Sequence, residues 1–325
     1  MSEANHFRIE DITEITQGIA RPTSIDWQGS QQIFSHKEPD TRLKGNGIVC
    51  FGCMALVTDK LWENIGNVAL TSPLFMEKGI TSCLWMRADR PNPKQLADDG
   101  RELKGKIATH IGWLIKLEQN QTLEEIKALE EAPAVVGFWV DSDWINQPDL
   151  AILGAIERPI LLETQNANLS AYQKLLTTFK ALKKRPFIIN APIFHPRDYP
   201  ELVNLQSIGR MLSDKTGISV GGHYLPIISH MSQLSSENNH FWAKWLGEDA
   251  ANQKWQISYA QQQVYKIYNS FGIAFKGRKI SGYNADIVVL DEQFRAKTVI
   301  IGGKIALWEN EFTQEFAGSG LKIWH

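Results

Sequence analysis

The sequence predicts an α/β fold built around a barrel-like parallel sheet, and three observations carry that prediction. Between residues 44 and 272, apolar strand-like runs alternate with amphipathic helical segments, the pattern of βα units. Residues 282–308, GYNADIVVLDEQFRAKTVIIGGKIALW, spell an antiparallel meander at the end of the chain. Residues 8–35 hold further β-like pieces broken by turn residues. Two or three strands alone are marginal in water, so the meander must close onto another part of the chain.

Taken in order, Ile9 to Ile15 and Ser24 to Phe34 read as strands, and SHKEPDTRLKGNG (35–47) is polar and reads as a loop. Strands follow at 48–57, 79–86, 107–115, 134–140, 159–163 and 186–190, with a broken stretch from 218 to 230. Thr122 and Glu125 form a capping box ahead of Ile126 and Leu129. Leu169 to Lys184 carries Tyr172, Leu175, Leu176, Phe179 and Leu182 at helical spacing, and Pro186 stops it. Glu201 to Lys215 also reads as a helix, with Gly217 beyond it as C-cap. Ser258 is placed to cap a last helix ending before Gly272. Within the meander, Ile287 to Leu290 is one strand and Val299 to Ile301 starts another. Gly302-Gly303 suits a primed two-residue turn into Lys304 to Trp308.

These elements amount to six or seven βα strands, whereas an eight-stranded barrel needs about 250 residues. Residues 231–257 show no convincing strand. A barrel short of an element, or irregular at its last strands, is the expectation.

Hydrophobic residues make up 43% and charged residues 22%, an ordinary globular balance, and the formal net charge is −2. No basic run interleaved with aromatics appears, which argues against nucleic acid. No apolar run reaches the roughly 20 residues of a membrane span. MSEANHFRIED has neither a basic n-region nor an apolar h-region. With only Cys50, Cys53 and Cys83, this fits a reduced cytoplasmic protein. Cys50 and Cys53 have redox-motif spacing, but three positions along a strand put their thiols on opposite faces. There is no Gly-rich phosphate-binding motif.

KGRKISGYNADIVVLD (276–291) resembles the closing segment of the metal-dependent amidohydrolase superfamily, in particular its dihydroorotase and allantoinase branch. Looser likenesses lie in 63–93, in 122–140, and in 200–217 with 228–236, the last similar to the helix before strand six and that strand's end. The resemblance implies a TIM-like (β/α) barrel over 44–275 and a small β-sandwich formed by both termini, 1–43 with 276–325. The meander would then pair with the strands of 8–35.

The resemblance also implies a metal site: His-x-His on strand one, a carboxylated lysine on strand four, histidines on strands five and six, and an aspartate on strand eight. Metal-bound water loses a proton near neutral pH and attacks the amide carbon. Here no His-x-His occurs, and Phe51-Gly52-Cys53 stands at the strand-one position. Trp139 stands where the lysine would be, Glu163 where the strand-five histidine would be, and His230 is retained on strand six. The plainer readings are a half-buried histidine for His230 and a salt-bridged carboxylate for Glu163. The sharper one is a remade catalytic site of Glu163, His223 and His230, with zinc or without metal. Asp286 resembles a family residue that is structural more often than catalytic.

Trp242, Trp245 and Trp255 fall where the last barrel strands should be. Trp242 and Trp245 share one helix face, either as a plug over the barrel or as anchors of a protein interface. The expectation is a non-catalytic dihydroorotase-like pseudoenzyme without cofactor, partnering aspartate carbamoyltransferase in pyrimidine biosynthesis. The alternatives are a cyclic-amide hydrolase with a remade site and a small-molecule binding module.

Overall fold

The computed structural model describes residues 5–141, 143–144, 151–164, 168–189, 210–212, 219–220, 227–234, 253–313 and 318–323. Two sheets organise them. The first runs β17-β16-β15-β14-β4-β1-β2-β3. Its N-terminal strands are β1 (His6–Thr16), β2 (Ile19–Gln28), β3 (Gln31–Ile33) and β4 (Thr41–Phe51). Its C-terminal strands are β14 (Ile287–Leu290), β15 (Ala296–Ile301), β16 (Lys304–Trp308) and β17 (Glu311–Phe312). The meander forms where the sequence places it, and Gly302 and Gly303 turn it with φ of 55° and 79°. Its neighbour, however, is β4 rather than the strands of 8–35. Val288 pairs with Cys50 and Val289 with Val49, and β4 in turn pairs in parallel with β1.

Most of the stretch expected as a loop is therefore strand. Along Thr41–Gly47, the odd positions turn inward while Arg42, Lys44 and Asn46 lie exposed. A strand wet on one face and charged there carries little apolar signal. The first sheet continues to Phe51, eight residues past the boundary expected at 43.

Gly52 is the hand-over between the sheets. It follows β4 and precedes β5 (Cys53–Thr58), and a Cβ there would lie 2.1 Å from the Thr81 side chain. The Tyr268 hydroxyl donates to the Gly52 carbonyl (3.1 Å) and contacts Ser82 Oγ (2.9 Å).

The second sheet runs β12-β11-β10-β9-β8-β7-β6-β5-β13, curled and parallel except for the β11–β12 pair. Its strands after β5 are β6 (Ile80–Arg87), β7 (His110–Lys116), β8 (Val135–Val140), β9 (Ile160–Glu163) and β10 (Phe187–Ile189). They are followed by β11 (Arg210–Leu212), β12 (Ser219–Val220) and β13 (Ile227–Ile228). Every residue of β6 and β8 is buried, as expected of parallel strands covered on both faces.

Helices α1 (Ile65–Met76), α2 (Pro93–Leu103), α3 (Leu123–Glu130), α4 (Ile152–Ala155) and α5 (Leu169–Ala181) lie between these strands. The expected Thr122–Glu125 capping box closes α3, and α5 buries Tyr172, Leu175, Leu176 and Phe179.

Three expectations are corrected here. Arg210–Leu212 is a strand pairing with β10, inside the segment that reads as a helix. The stretch ending at His230 is not strand six: β13 pairs in parallel with β5 and so flanks the first strand of the sheet. The last helix, α6 (Gln253–Ser270), begins before Ser258, whose buried Oγ accepts the Gln17 backbone N–H (2.7 Å) instead of capping. His223, Trp242 and Trp245 lie outside the described residues, as do the side-chain surroundings of Trp255.

One apolar core fills the second sheet, its helices and the near face of the first sheet. A smaller one, with Ile9, Trp27, Val49 and Ile287, lies on that sheet's other face. Residues 318–323 run beside the start of β7, where Ile111 N donates to Ser319 O and Leu321 N to Ile111 O.

Candidate functional site

In a curled parallel sheet, the carboxyl ends of the strands and the loops that follow share one rim, where such folds gather their chemistry. Alternation along β7 divides the side chains there. Trp113 faces the helices together with Trp85 and Arg87; Trp85 stacks edge-on against Trp62 (5.9 Å), which also meets Phe75 of α1 (5.3 Å). Lys116 lies on the opposite, inner face.

Arg87 is held on the helix side. Its guanidinium lies 4.9 Å from the Trp85 ring and 5.3 Å from Trp113, and pairs with Asp89 and with Asp99 of α2, both at 2.5 Å. Burial alone would lower its pKa; the hydrogen bonds and charges of the two aspartates outweigh burial and raise it. With its donors committed this way, Arg87 joins strand to helix.

The inner face carries Lys116 opposite Trp139, which are paired in register. The Lys116 ammonium is 5.2 Å from the Trp139 ring and 2.8 Å from Asp141 Oδ2. The Trp139 indole N–H donates to the Arg87 carbonyl (3.1 Å), which locks the ring across the rim. Trp144 does the same to the Leu117 carbonyl (2.9 Å). Burial pulls the Lys116 pKa down, but the Asp141 hydrogen bond and the charges of Asp141, Glu118 and Asp143 carry it above the usual lysine value. Lys116 is thus a fixed cation at the mouth.

Glu163, half-buried, ends β9, and His230, exposed, follows β13. Both stand at carboxyl ends of strands, with β8, β7, β6 and β5 between them along the sheet. The backbone N–H groups of Ser229 and His230 donate to Gln233 Oε1 at 2.6 and 2.9 Å. Phe51 and Cys53 are not at the rim: Phe51 ends a strand of the first sheet and Cys53 begins β5. The strand-one metal position thus moves to the end of β5, where Thr58-Asp59-Lys60 stands. The apparent redox pair is split between the sheets, and burial pushes the Cys50 thiol up to about 12 and Cys53 well above its ordinary value.

Metal chemistry of the kind the resemblance implies needs three or more imidazole, carboxylate or thiolate ligands at one point. Among the described residues, no three of His, Cys, Asp and Glu converge in that way. The inner-face cation Lys116 would also repel a metal ion. The described residues do not fit such a centre.

The other end of the sheet carries a network that sequence reasoning did not assemble. Lys276 and Asp286, both buried, form an ion pair, and Asp286 Oδ1 also contacts His110 Nε2 (3.0 Å) and accepts the Gly302 N–H (2.8 Å). His110 Nδ1 meets Ser319 Oγ (2.9 Å). Burial would raise the Asp286 pKa, but Lys276 and His110 hold it far below the ordinary carboxylate value. Burial, aided by Lys276, pulls His110 down against Asp286. His110 opens β7, so this is the amino end of the sheet, where fixed groups serve stability. The available signal was lone charges inside apolar runs, at His110 and Asp286.

Neither protein-family models nor curated protein sequences give a match. Solved structures do. The L-hydantoinase (dihydropyrimidinase) of Arthrobacter aurescens superimposes with a TM-score of 0.68 at 12% identity, over 98% of this chain and 99% of that one. The N-acetyl-D-glucosamine-6-phosphate deacetylase of Mycobacterium smegmatis gives 0.65 at 14%, over 93% and 100%. The formyltransferase/hydrolase complex of Methylorubrum extorquens, solved with methylofuran, gives 0.67 at 11%, over 96% and 90%. Identities this low speak to fold alone, and on that ground the chain shares the fold of these hydantoinase, deacetylase and formyltransferase/hydrolase structures.

Proposed function

We propose that the chain is a non-catalytic, dihydroorotase-like member of this fold that supports an assembly, with aspartate carbamoyltransferase as the candidate partner. The observation that carries the reading is the rim. Its inner face is occupied by the Lys116–Asp141 pair and by Trp139 tied to the Arg87 carbonyl, where a hydrolase of this fold would need converging metal ligands. A fold relative within a multi-subunit formyltransferase/hydrolase complex is consistent with a barrel of this kind working in an assembly. The partner itself rests on the resemblance to dihydroorotase-like subunits.

Mixing the purified chain with aspartate carbamoyltransferase from the same source and separating by size tests the proposal. Co-elution as a defined complex is expected. Separate elution at micromolar concentrations removes this partner. Within a complex, Trp242→Ala with Trp245→Ala is expected to weaken association by about thirtyfold or more while the melting temperature of the free chain holds.

A second reading has one observation in its favour: Glu163 ends β9 and His230 follows β13, both at the carboxyl-end rim of the sheet. It predicts cyclic-amide hydrolysis that disappears in Glu163→Ala and His230→Ala.

A further inference from the structure

Away from the rim, at the junction of the two sheets, a cleft of about 490 Å³ opens between α6, the end of β1 and the linker 277–280. Ile15, Phe51 and Ser258 lie among its lining, with Tyr265 and Lys266 from α6 and Arg278 and Lys279 from the linker. Its size falls in the range of small-molecule sites. We propose that it binds a small soluble oxyanion, a molecule bearing several carboxylate or phosphate oxygens. This goes beyond the scaffold reading and does not depend on it.

The local backbone explains how Arg278 comes to lie against α6. Gly277 has φ of 77°, and a Cβ there would sit 3.1 Å from Tyr265 Cα and 3.0 Å from Tyr268 Cδ2. Only glycine lets the linker lie this close to α6 in this conformation. The next residue, Arg278, then lays its guanidinium 3.3 Å over the Tyr265 ring. Stacking uses the face of the guanidinium and leaves its N–H donors, all in the plane, directed outward. Those donors match the paired oxygens of a carboxylate or phosphate.

Among the described residues, no carboxylate forms an ion pair with Arg278 or Lys266. Lys279 is shared between Glu14 (3.5 Å) and the Thr23 hydroxyl. The cleft is thus lined by three cations and one carboxylate in a chain whose net charge is −2. Cations in excess of their counter-ions along one cleft are stabilised by an anion held there, and the donor geometry favours a polydentate one.

Isothermal titration of the full chain with sodium pyrophosphate, and separately with citrate, at constant ionic strength tests this. Saturable binding of at least one at one site per chain is expected. Arg278→Ala should weaken it by about tenfold or more, and Arg278→Lys should weaken it too, because an ammonium lacks the planar fork. Lys266→Gln gives an independent loss. Both side chains are exposed, so the melting temperature without ligand should hold in every variant. Absence of saturable heat for both anions up to about 10 mM overturns the proposal. So does equal affinity in wild type and all variants. Sedimentation with phosphatidylglycerol vesicles while neither soluble anion binds also counts against it.

Discussion

Lys276 and Asp286 show at the residue scale how a buried charge pair constrains a fold. Replacing such a pair by apolar groups is often neutral, whereas removing one partner strands a charge in the interior. Lys276→Met should therefore lower unfolding stability by about 3–5 kcal/mol, read from the urea midpoint. Lys276→Met with Asp286→Leu should recover part of that loss, because no charge is left alone. The same network sets a pH response. His110 has a folded pKa below its ordinary value of about 6.5, so the native state keeps it neutral while the unfolded chain takes up a proton. Its contribution is complete above about pH 6.5 and fades as the pH falls below that. Asp286, held far below the ordinary carboxylate value, adds a second loss below about pH 4. Stability measured at pH 7.5 and at pH 5.5 should differ in the wild type and differ less in His110→Gln. An equal difference in both would remove His110 as the titrating group.

At the scale of elements, Gly303 gives a sharp test of how the first sheet curls. It has φ of 79°, and a Cβ there would lie 1.8 Å from the Gly29 carbonyl oxygen. The Trp27 indole N–H reaches the Gly303 carbonyl (2.8 Å), so the β15–β16 turn and the β2–β3 turn press together. Gly303→Ala should cost about 1–3 kcal/mol through backbone strain and more through the clash, seen as a lower melting temperature. Elements with a continuous apolar run or a strong period were legible in the sequence: the meander, the buried strands β6 and β8, and the helices α3 and α5. Strand β4 was not, because its charged exposed face hides the alternation. Strand β11 was not, because Leu202, Leu205, Ile208 and Leu212 match helical spacing up to its end. The start of α6 was misplaced because Ser258 serves the Gln17 N–H, a tertiary contact that no local pattern announces. Of the candidate site, Trp139, Glu163 and His230 were legible as positions on strands. The Lys116–Asp141 pair was not, since it joins two strand ends 25 residues apart that become neighbours only through sheet order.

For the whole molecule, the curled parallel sheet brings its strand ends to one rim, and what that rim carries decides between scaffold and hydrolase. The described rim holds a fixed cation and a locked tryptophan ring in place of a ligand cluster. Glu163 and His230 stand with four strands between them along the sheet, and His223 lies outside the described residues. The most direct measurement is zinc content after expression in zinc-supplemented medium and exhaustive dialysis, with turnover of dihydroorotate and hydantoin assayed on the same preparation. Zinc well below one per chain and no turnover above background are the expected results, because without metal-activated water the nucleophile's pKa returns toward that of bulk water. Retention of about one zinc per chain, together with turnover that His230→Ala abolishes, would contradict the account.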